Sequence, residues 1–482
     1  MTKPFPVRGP HGVAIGLFIL VWLSCIWFGS NEFNPNNATR LFAAISLVER
    51  GDATIDEFGT MTVDKAQFNG HTYTDKMPGM TLLALPSVWV ANSITGVTSD
   101  HVPHRLFEPS FSNFLRLRQL LTIATSTAIL IALAAVLLLD MGTGITGSPK
   151  AGLVAALGYA MGTPAWGWST TLFGHAPVGA LLMIAAWAVW RGTSGARELA
   201  RWRYPIMLGA CLGLAALIEL TAVFPASVIG LWAIWRTRAV PVAQRLRMAG
   251  MTAAAGAVLL SPMLAYNQIA FGQWMRVGYQ GVVGFDGMNQ GLFGLTYPHF
   301  DIFLQLIGGP QRGLLFVAPI LALAPVGLLR LIRNPATRDL GITASALVLV
   351  MLLYNASYYY WNGGYSTGPR HAIPAMAFLA LGLAPLWATG GRTVRGWICV
   401  VLGVSLFINL AIAGAEIAAP DTILFPLWDP IVKNFLTLQV RTLPSDWWGW
   451  KPGFGLALYL IVAVPMLWVL WNWAELSEPI PA

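Results

Sequence analysis

Charged and aromatic side chains crowd into a stretch of 13 residues that begins at Asp64 and ends at Lys76. The stretch contains Asp64, Lys65, His71, Tyr73, Asp75 and Lys76. Tyr73 and Lys76 lie three residues apart, so a turn can direct both side chains at one phosphate group. A carboxylate beside them can accept a proton from an incoming hydroxyl. The stretch therefore predicts a phosphate site with a base, and the alternative is a solvated hairpin.

A second group of functional residue types lies in the segment 360–371, YWNGGYSTGPRH, which is short, aromatic and glycine-rich. It ends in Arg370 and His371, where a helix is predicted to begin. Glycines allow the backbone to approach a ligand closely, and a guanidinium group is well suited to pair with phosphate. The alternative is that Arg370 is an anchor whose charged end reaches out of an apolar surface.

Two further residues stand at predicted turns. His175 ends the sequence Thr171-Leu172-Phe173-Gly174-His175, and a lone histidine of this kind is more often structural than catalytic. Arg312, within Pro310-Gln311-Arg312-Gly313, opens an apolar run and can reach a lipid headgroup.

The composition of the 482 residues decides the class of protein. Hydrophobic residues make up 56% of the chain and charged residues 10%, whereas soluble domains have about 25% charged residues. We therefore predict an all-α polytopic membrane protein. The net charge of +8 is then expected in loops that orient the spans, so we predict no nucleic-acid partner. The cysteines, Cys25, Cys211 and Cys399, lie in apolar runs without metal-ligand spacing.

Twelve apolar runs have roughly the length that crosses a bilayer. They cover residues 11–29, 118–140, 151–167, 174–190, 204–219, 221–235, 248–268, 313–332, 340–359, 372–389, 394–416 and 453–474. A thirteenth run, 80–96, is short and is interrupted by Pro86. Glu219 is the one acid that we place deep in a helix.

The arginine-rich linkers 191–203, 236–247 and 330–339 predict the orientation, because cytoplasmic loops carry the excess of positive charge. The N-terminus is predicted on the same side. If the N-terminus and all three linkers are cytoplasmic, the number of crossings between them must be even, and this holds only if 80–96 does not cross. We therefore predict a re-entrant or interfacial helix at 80–96 and both termini in the cytoplasm. The segments 30–117, 269–312, 360–371 and 417–452 then lie outside.

The first outer loop, 30–117, contains a predicted amphipathic helix at 38–50. Leu41, Ala44, Ile45 and Val48 form its apolar stripe, and Arg40 lies off that stripe. Such a helix can lie on the membrane surface. The alternative, a helix docked on the spans, is compatible with the same pattern.

These features together resemble the GT-C glycosyltransferases, in particular the bacterial relatives of protein O-mannosyltransferases and lipid A aminoarabinose transferases. The resemblance rests on one span followed by a long outer loop and many spans. It also rests on the motifs Asn36-Asn37-Ala38-Thr39-Arg40, Tyr73-Thr74-Asp75-Lys76-Met77-Pro78-Gly79, Pro310-Gln311-Arg312-Gly313 and Gly368-Pro369-Arg370-His371. It implies a single GT-C domain over 1–482, with spans 2–11 in 118–416 and the twelfth in 453–474. Residues after about 380 match no motif.

The resemblance implies which residues form the site. Tyr73 and Lys76 correspond to the family's lipid-phosphate ligands. The binding set predicted on this basis and from the outer segments is Tyr73, Lys76, Arg370, His371, Arg40, Asp75, Arg312 and His175. The family's catalytic Asp is replaced here by Asn36-Asn37, and an amide cannot act as a base. We therefore predict that Asp64 or Glu32 takes that role.

The implied function is an inverting transfer of a sugar from a polyprenyl-phosphate donor to a lipid, glycan or protein acceptor. The active site would face the periplasm from the inner (plasma) membrane, with no cofactor required and a divalent cation as an unsupported option. One alternative is a polymerase or ligase of lipid-linked glycans, which the outer loop 269–312 favours. Another is a transporter, which would carry more charges within its spans than this chain does.

Overall fold

A computed structural model describes residues 10–29 and 31–478. Within these residues the secondary structure is helical, apart from one two-stranded hairpin and a few isolated bridges. The first part of the chain contains α1 (Pro10–Trp27), α2 (Pro35–Glu49), β1 (Ala66–Phe68), β2 (His71–Tyr73), α3 (Gly79–Thr95), α4 (Pro109–Thr125), α5 (Thr127–Thr146), α6 (Pro149–Ala160), α7 (Ala165–Ser169) and α8 (His175–Gly192).

The middle and last parts are also helical. They contain α9 (Ala196–Leu199), α10 (Arg203–Ile218), α11 (Val223–Arg236), α12 (Val242–Leu260), α13 (Pro262–Phe271), α14 (Phe300–Gly308), α15 (Leu314–Val317), α16 (Ala324–Arg333), α17 (Arg338–Ser357), α18 (Met376–Leu381), α19 (Leu383–Thr389), α20 (Arg392–Ala415), α21 (Lys433–Leu436), α22 (Leu443–Trp448) and α23 (Pro452–Leu476).

Six helical stretches within the described residues are long and apolar enough to cross a membrane. They are Pro109–Thr146, Val242–Phe271, Arg338–Ser357, Arg370–Thr389, Arg392–Ala415 and Pro452–Leu476. Shorter apolar helices occupy His11–Trp27, Gly79–Thr95, Arg203–Ile218 and Leu220–Arg236. The chain is therefore an all-α integral membrane protein. The count of twelve spans stays a prediction.

Several predicted spans are interrupted helices. The run 151–167 is divided between α6 and α7, and 313–332 is divided between α15, a 3₁₀ turn and α16. The stretch Pro109–Thr146 is 38 residues long, or about 57 Å at 1.5 Å per residue, which exceeds the roughly 30 Å of a hydrocarbon core. It is divided at Ser126, so the 20 residues of α5 alone have the length of a span.

The segments that were predicted to lie on the same side of the membrane contact one another. Among the predicted cytoplasmic linkers, Arg236 Nε lies 2.7 Å from Asp339 Oδ2. Among the predicted outer segments, Gln311 donates to the carbonyl of Asp421 at 2.6 Å, and Gly287 N donates to the Tyr360 hydroxyl at 3.0 Å. Each group of loops is thus joined by contacts among its own members, and we call the end formed by the predicted outer segments the site end.

The helix predicted at 38–50 is docked within the protein. It runs from Pro35 to Glu49, and residues 36–46 are buried, including Arg40 at 1% exposure. Asn34 caps its first turn by accepting from Asn36 N at 3.1 Å. The structure thus shows the docked helix, which was one of the two interpretations of this segment.

Candidate active site

The hairpin β1–β2 delivers the charged stretch to the site end. Ala66 pairs with Tyr73, and the turn uses Asn69 and Gly70, both with positive φ, as a tight hairpin turn requires. The loop between α13 and α14 extends this small sheet, because Val282 bridges Ala66 and Val283 N donates to the carbonyl of Lys65 at 3.2 Å. The hairpin therefore fixes the backbone that enters Thr74, Asp75 and Lys76.

Lys76 lies between two carboxylates at the end of this hairpin. Its Nζ is 2.7 Å from Asp75 Oδ2 and 3.2 Å from Asp64 Oδ2. Burial lowers the pKa of Lys76, and the Asp64 and Asp75 carboxylates raise it by a larger amount. The net shift is upward, so Lys76 stays charged. The structure thus brings together three of the predicted site residues.

Asp75 is the more deeply buried of the two carboxylates, since its side chain is 5% exposed against 13% for Asp64. Its Oδ1 is buried without a hydrogen-bond partner among the described residues. Burial raises the pKa of Asp75, Lys76 opposes that shift, and the neighbouring Asp64 carboxylate adds to it. Asp64 is therefore the carboxylate with more access to a second molecule.

The start of α3 is packed against the end of α10. A Cβ atom on Gly79 would lie 2.6 Å from the backbone of Ile218, so the close approach requires glycine. The helix α10 ends at Ile218, and Glu219 is extended there, with φ −144° and ψ 121°. The prediction that Glu219 lies deep in a helix is wrong, because it occupies the break between two helices.

Glu219 forms a buried ion pair with Arg40. The distance from Arg40 Nη2 to Glu219 Oε1 is 2.9 Å, and the side chains are 1% and 9% exposed. Gly174 packs directly against the Glu219 carboxylate, since a Cβ atom added at Gly174 would lie 2.2 Å from Glu219 Oε1. Tyr279 donates to Glu219 Oε2 at 3.5 Å. Burial and the Glu219 charge hold the pKa of Tyr279 well above its usual value.

The two asparagines at the start of α2, Asn36 and Asn37, have structural contacts. Asn36 accepts a short hydrogen bond from Arg40 Nη1 through its side-chain oxygen. Asn37 donates to the carbonyl of Asn31 at 2.8 Å and accepts from Leu172 N at 2.9 Å. These amides hold the start of α2 in place.

Arg370 is a cation without a polar partner among the residues that the structure describes. Its Nε is buried without a hydrogen bond, and its guanidinium lies 5.0 Å from the ring of Phe173 and 5.8 Å from that of Trp168. The negative charges of Asp64 and Glu219 favour the charged form of the Arg370 guanidinium. A half-buried guanidinium with free donors is suited to an anionic ligand.

His371 and His175 lie beside Arg370 as a packed pair. Their ring centroids are 4.8 Å apart, and Tyr358 lies 5.1 Å from His371. The Nε2 atom of His371 is buried without a hydrogen-bond partner among the described residues. Arg370 lies against the same aromatic wall, because Phe173, which its guanidinium contacts, also packs beside His175 at 6.5 Å between ring centroids.

Two predicted site residues, Tyr73 and Arg312, lie elsewhere or have other contacts. Tyr73 packs against Phe271, with ring centroids 5.2 Å apart, in an aromatic cluster of its own. Arg312 donates to the carbonyls of Asn362 and Gly364, both at 2.8 Å, and so holds the glycine-rich loop. The structure does not bring either of them to Lys76, and their contacts favour structural roles.

Glu32 belongs to a separate ionic cluster. Its carboxylate lies 3.1 Å from Arg116 and 3.6 Å from Arg441, and Ser112 donates a short hydrogen bond to it. Burial raises the pKa of Glu32, but Arg441, Ser112 and Arg116 together outweigh it, so the net pKa is lowered. A carboxylate held by two arginines is poorly placed to accept a proton.

Three residues at the site were not predicted from the sequence, namely Glu219, Tyr279 and Tyr358. The signal for Glu219 was its position as a lone acid between two apolar runs. Burial of a carboxylate there is costly in free energy unless the carboxylate is paired. Nothing in the local spacing marked Tyr279 or Tyr358, because their positions depend on loops that fold back from distant segments.

No protein-family model and no curated protein sequence matches the chain. Solved structures do match it. The ArnT aminoarabinose transferase of Cupriavidus metallidurans in the apo state is 14% identical, with a TM-score of 0.53, over 97% of this chain and 75% of that chain. The chain shares the fold of this ArnT, which is a GT-C glycosyltransferase. The prediction of this fold from the sequence is thereby confirmed.

Two further GT-C structures are similar. The same ArnT bound to undecaprenyl phosphate gives a TM-score of 0.52 at 14% identity, over 97% of this chain and 75% of that chain. The arabinosyltransferase EmbB of Mycobacterium smegmatis is more distant, with a TM-score of 0.44 at 14% identity, over 99% of this chain and 42% of that chain.

Proposed function

We propose that the protein is an inverting glycosyltransferase. It moves a sugar from a polyprenyl-phosphate donor to a lipid, glycan or protein acceptor on the periplasmic face of the inner membrane. The observation that carries the proposal is Arg370, a half-buried guanidinium whose Nε has no polar partner among the described residues, together with the Lys76–Asp64 contact of 3.2 Å at the same site end. A cation and a carboxylate in one cluster are what a displacement at a sugar phosphate requires.

The proposed reaction is a single displacement. The acceptor oxygen forms a bond to C1 of the sugar while the bond from C1 to the phosphate oxygen breaks. The acceptor proton passes to Asp64, and the lipid phosphate leaves toward Arg370 and Lys76. Arg370 offsets the charge on the departing phosphate, because its Nε has no hydrogen-bond partner among the described residues.

Lys76 has a double role in this proposal. Its ammonium group has three donors, and the contacts to Asp64 and Asp75 occupy two of them. The third is available to the phosphate. The same contacts hold Asp64 in place beside the reacting atoms.

The other predicted residues support the site from outside the reacting atoms. Arg40 is held by Glu219 and stabilises the loop, while His371 and His175 form the wall beside Arg370. Tyr73 and Arg312 hold the hairpin and the glycine-rich loop. Glu32 remains the alternative base, and its two arginine partners count against it.

The choice of a lipid carrier is supported by location. Nucleotide sugars are cytoplasmic, so a periplasmic site needs a membrane-borne donor. The arginine-rich linkers support an outward-facing site, because cytoplasmic loops carry the excess of positive charge and two of these linkers contact each other through Arg236 and Asp339. Undecaprenyl phosphate is the ligand in one of the similar ArnT structures, and we take it as the test lipid.

Binding of undecaprenyl phosphate to the full chain in lipid nanodiscs tests the proposal. The wild type should bind it more tightly than undecaprenol, which lacks the charge. Arg370→Ala should weaken binding by roughly 10- to 100-fold, the value of one charge-assisted contact. Arg276→Ala is the matched control, because Arg276 packs over Phe68. Equal binding of both lipids by the wild type would refute the phosphate site.

A further inference from the structure

The predicted last outer loop, 417–452, exposes large apolar side chains that are unusual for a loop in water. The exposed fractions are 76% for Leu424, 57% for Trp428, 61% for Leu436 and 51% for Leu438. An apolar surface of this kind normally marks a contact with another molecule or with a membrane. We call residues 424–438 the apolar platform.

The platform packs against two long apolar helices. Phe435 packs against Phe407 of α20, with ring centroids 5.6 Å apart, and Phe407 is itself 43% exposed. Leu438 lies beside Gly453 at the start of α23, since a Cβ atom added at Gly453 would be 3.1 Å from Leu438 Cδ1. The platform therefore lies beside α20 and the start of α23, both of which are long and apolar enough to cross a membrane.

Polar side chains alternate with the apolar ones along the platform. Asp429 and Lys433 are both exposed and lie 3.5 Å apart, and Thr437 follows Leu436. Tryptophan together with long aliphatic side chains and interspersed charges is typical of the boundary between headgroups and acyl chains. A purely aqueous loop or a deeply buried segment would not show this mixture.

We propose that the apolar platform is embedded in the headgroup–acyl boundary of the leaflet at the site end. Leu424, Trp428, Leu436 and Leu438 contact acyl chains, and the charged side chains face the headgroups. The occupant of this surface is the bilayer itself and not a second copy of the chain.

The start of the outer loop that contains the platform is joined to the loop that carries Arg370. Ser366 N donates to the carbonyl of Ala419 at 2.9 Å, and Thr367 N donates to that of Ile417 at 3.0 Å. A platform held at a fixed membrane depth therefore fixes the height of the glycine-rich loop. This consequence, that Arg370 is held at the level of lipid phosphates, rests on the proposed function, whereas the membrane contact does not.

Spin labels measure the depth directly. Single cysteines replace Leu424 or Leu436 in a chain without Cys25, Cys211 and Cys399, reconstituted in phosphatidylcholine–phosphatidylglycerol vesicles. We expect both labels to collide with dissolved oxygen more often than with a water-soluble nickel chelate. The matched control is Asn69→Cys, an exposed turn residue, which should show the reverse.

Two results would overturn the inference. Labels that favour the nickel chelate would place the platform in water. Labels that are shielded from both reagents and broaden each other's spectra would place a second copy on it. Trp428→Cys gives a further position if one variant fails to elute as a folded species. The measurement uses no donor or acceptor, so it is independent of whether the protein transfers a sugar.

Discussion

Arg40 and Glu219, which are 179 positions apart in the sequence, form a buried ion pair with 2.9 Å between Nη2 and Oε1. The pair joins the start of α2 to the break between α10 and α11. Removal of the carboxylate would leave a buried guanidinium without its countercharge, which is far more costly than the loss of a surface pair.

Glu219→Ala should therefore lower the free energy of unfolding by about 3–5 kcal/mol. Arg50→Ala is the control, because Arg50 pairs with the half-exposed Asp52 and Glu57 and should cost less than about 1 kcal/mol. Unfolding in mixed micelles with increasing denaturing detergent gives both values. Similar losses for the two variants would show that the Arg40–Glu219 pair does not stabilise the fold.

Lys76→Ala and Arg370→Ala should each abolish most sugar transfer while the protein stays folded. The loss of one charge-assisted contact at a partly desolvated phosphate should cost about 2–4 kcal/mol in the transition state. Lys76→Arg should rescue poorly, since a planar fork does not replace a point donor between two carboxylates.

The matched control for these cations is Lys65→Ala. Lys65 lies in the same hairpin, but its Nζ donates to the carbonyl of Gly59 at 2.6 Å. Turnover of a labelled polyprenyl-phosphate sugar by each variant gives the comparison. Near-normal turnover in Lys76→Ala would remove Lys76 from the phosphate site.

Asp64→Asn should slow transfer by roughly 100-fold or more while donor binding changes little, because the amide keeps the shape but cannot accept a proton. Glu32→Gln should retain activity, since Glu32 is held by Arg116 and Arg441. Single-turnover rates at saturating donor separate chemistry from binding. The opposite pattern, an active Asp64→Asn with an inactive Glu32→Gln, would place the base at the end of the first span.

Cysteines introduced at Asn69, Asn289 and Asp421 should react with an impermeant thiol reagent added from outside the cell. Those at Gly195 and Pro241 should react only after the membrane is opened. All five positions are exposed, so burial does not limit the reaction. Labelling of Gly195 from outside would mean that the segment 80–96 crosses the membrane.

The membrane class and the contacts within the charged stretch could be predicted from sequence. Low charge content dictates the class, and the proximity of Lys76 to Asp64 and Asp75 follows from their separation of at most twelve residues. Spacing failed for Tyr73. Tyr73 ends a strand, so its side chain packs toward Phe271. The spacing of three residues had predicted that Tyr73 and Lys76 point the same way in a turn.

The partners of Arg40 and Glu32 could not be predicted from sequence. Glu219 and Arg441 reach them from distant segments, and the geometry of such contacts depends on how helices pack, not on local periodicity. The docking of α2 was left open for the same reason, because an apolar stripe fits a membrane surface and a protein surface equally well.

The most direct measurement of the central claim is a structure of the protein with undecaprenyl phosphate bound. We predict phosphate oxygens within hydrogen-bond distance of the Arg370 guanidinium and of Lys76 Nζ. Asp64 should face the side of the phosphate where C1 of the sugar would be attached. A phosphate bound instead at the Arg116–Glu32–Arg441 cluster or among the arginine-rich linkers would contradict the account.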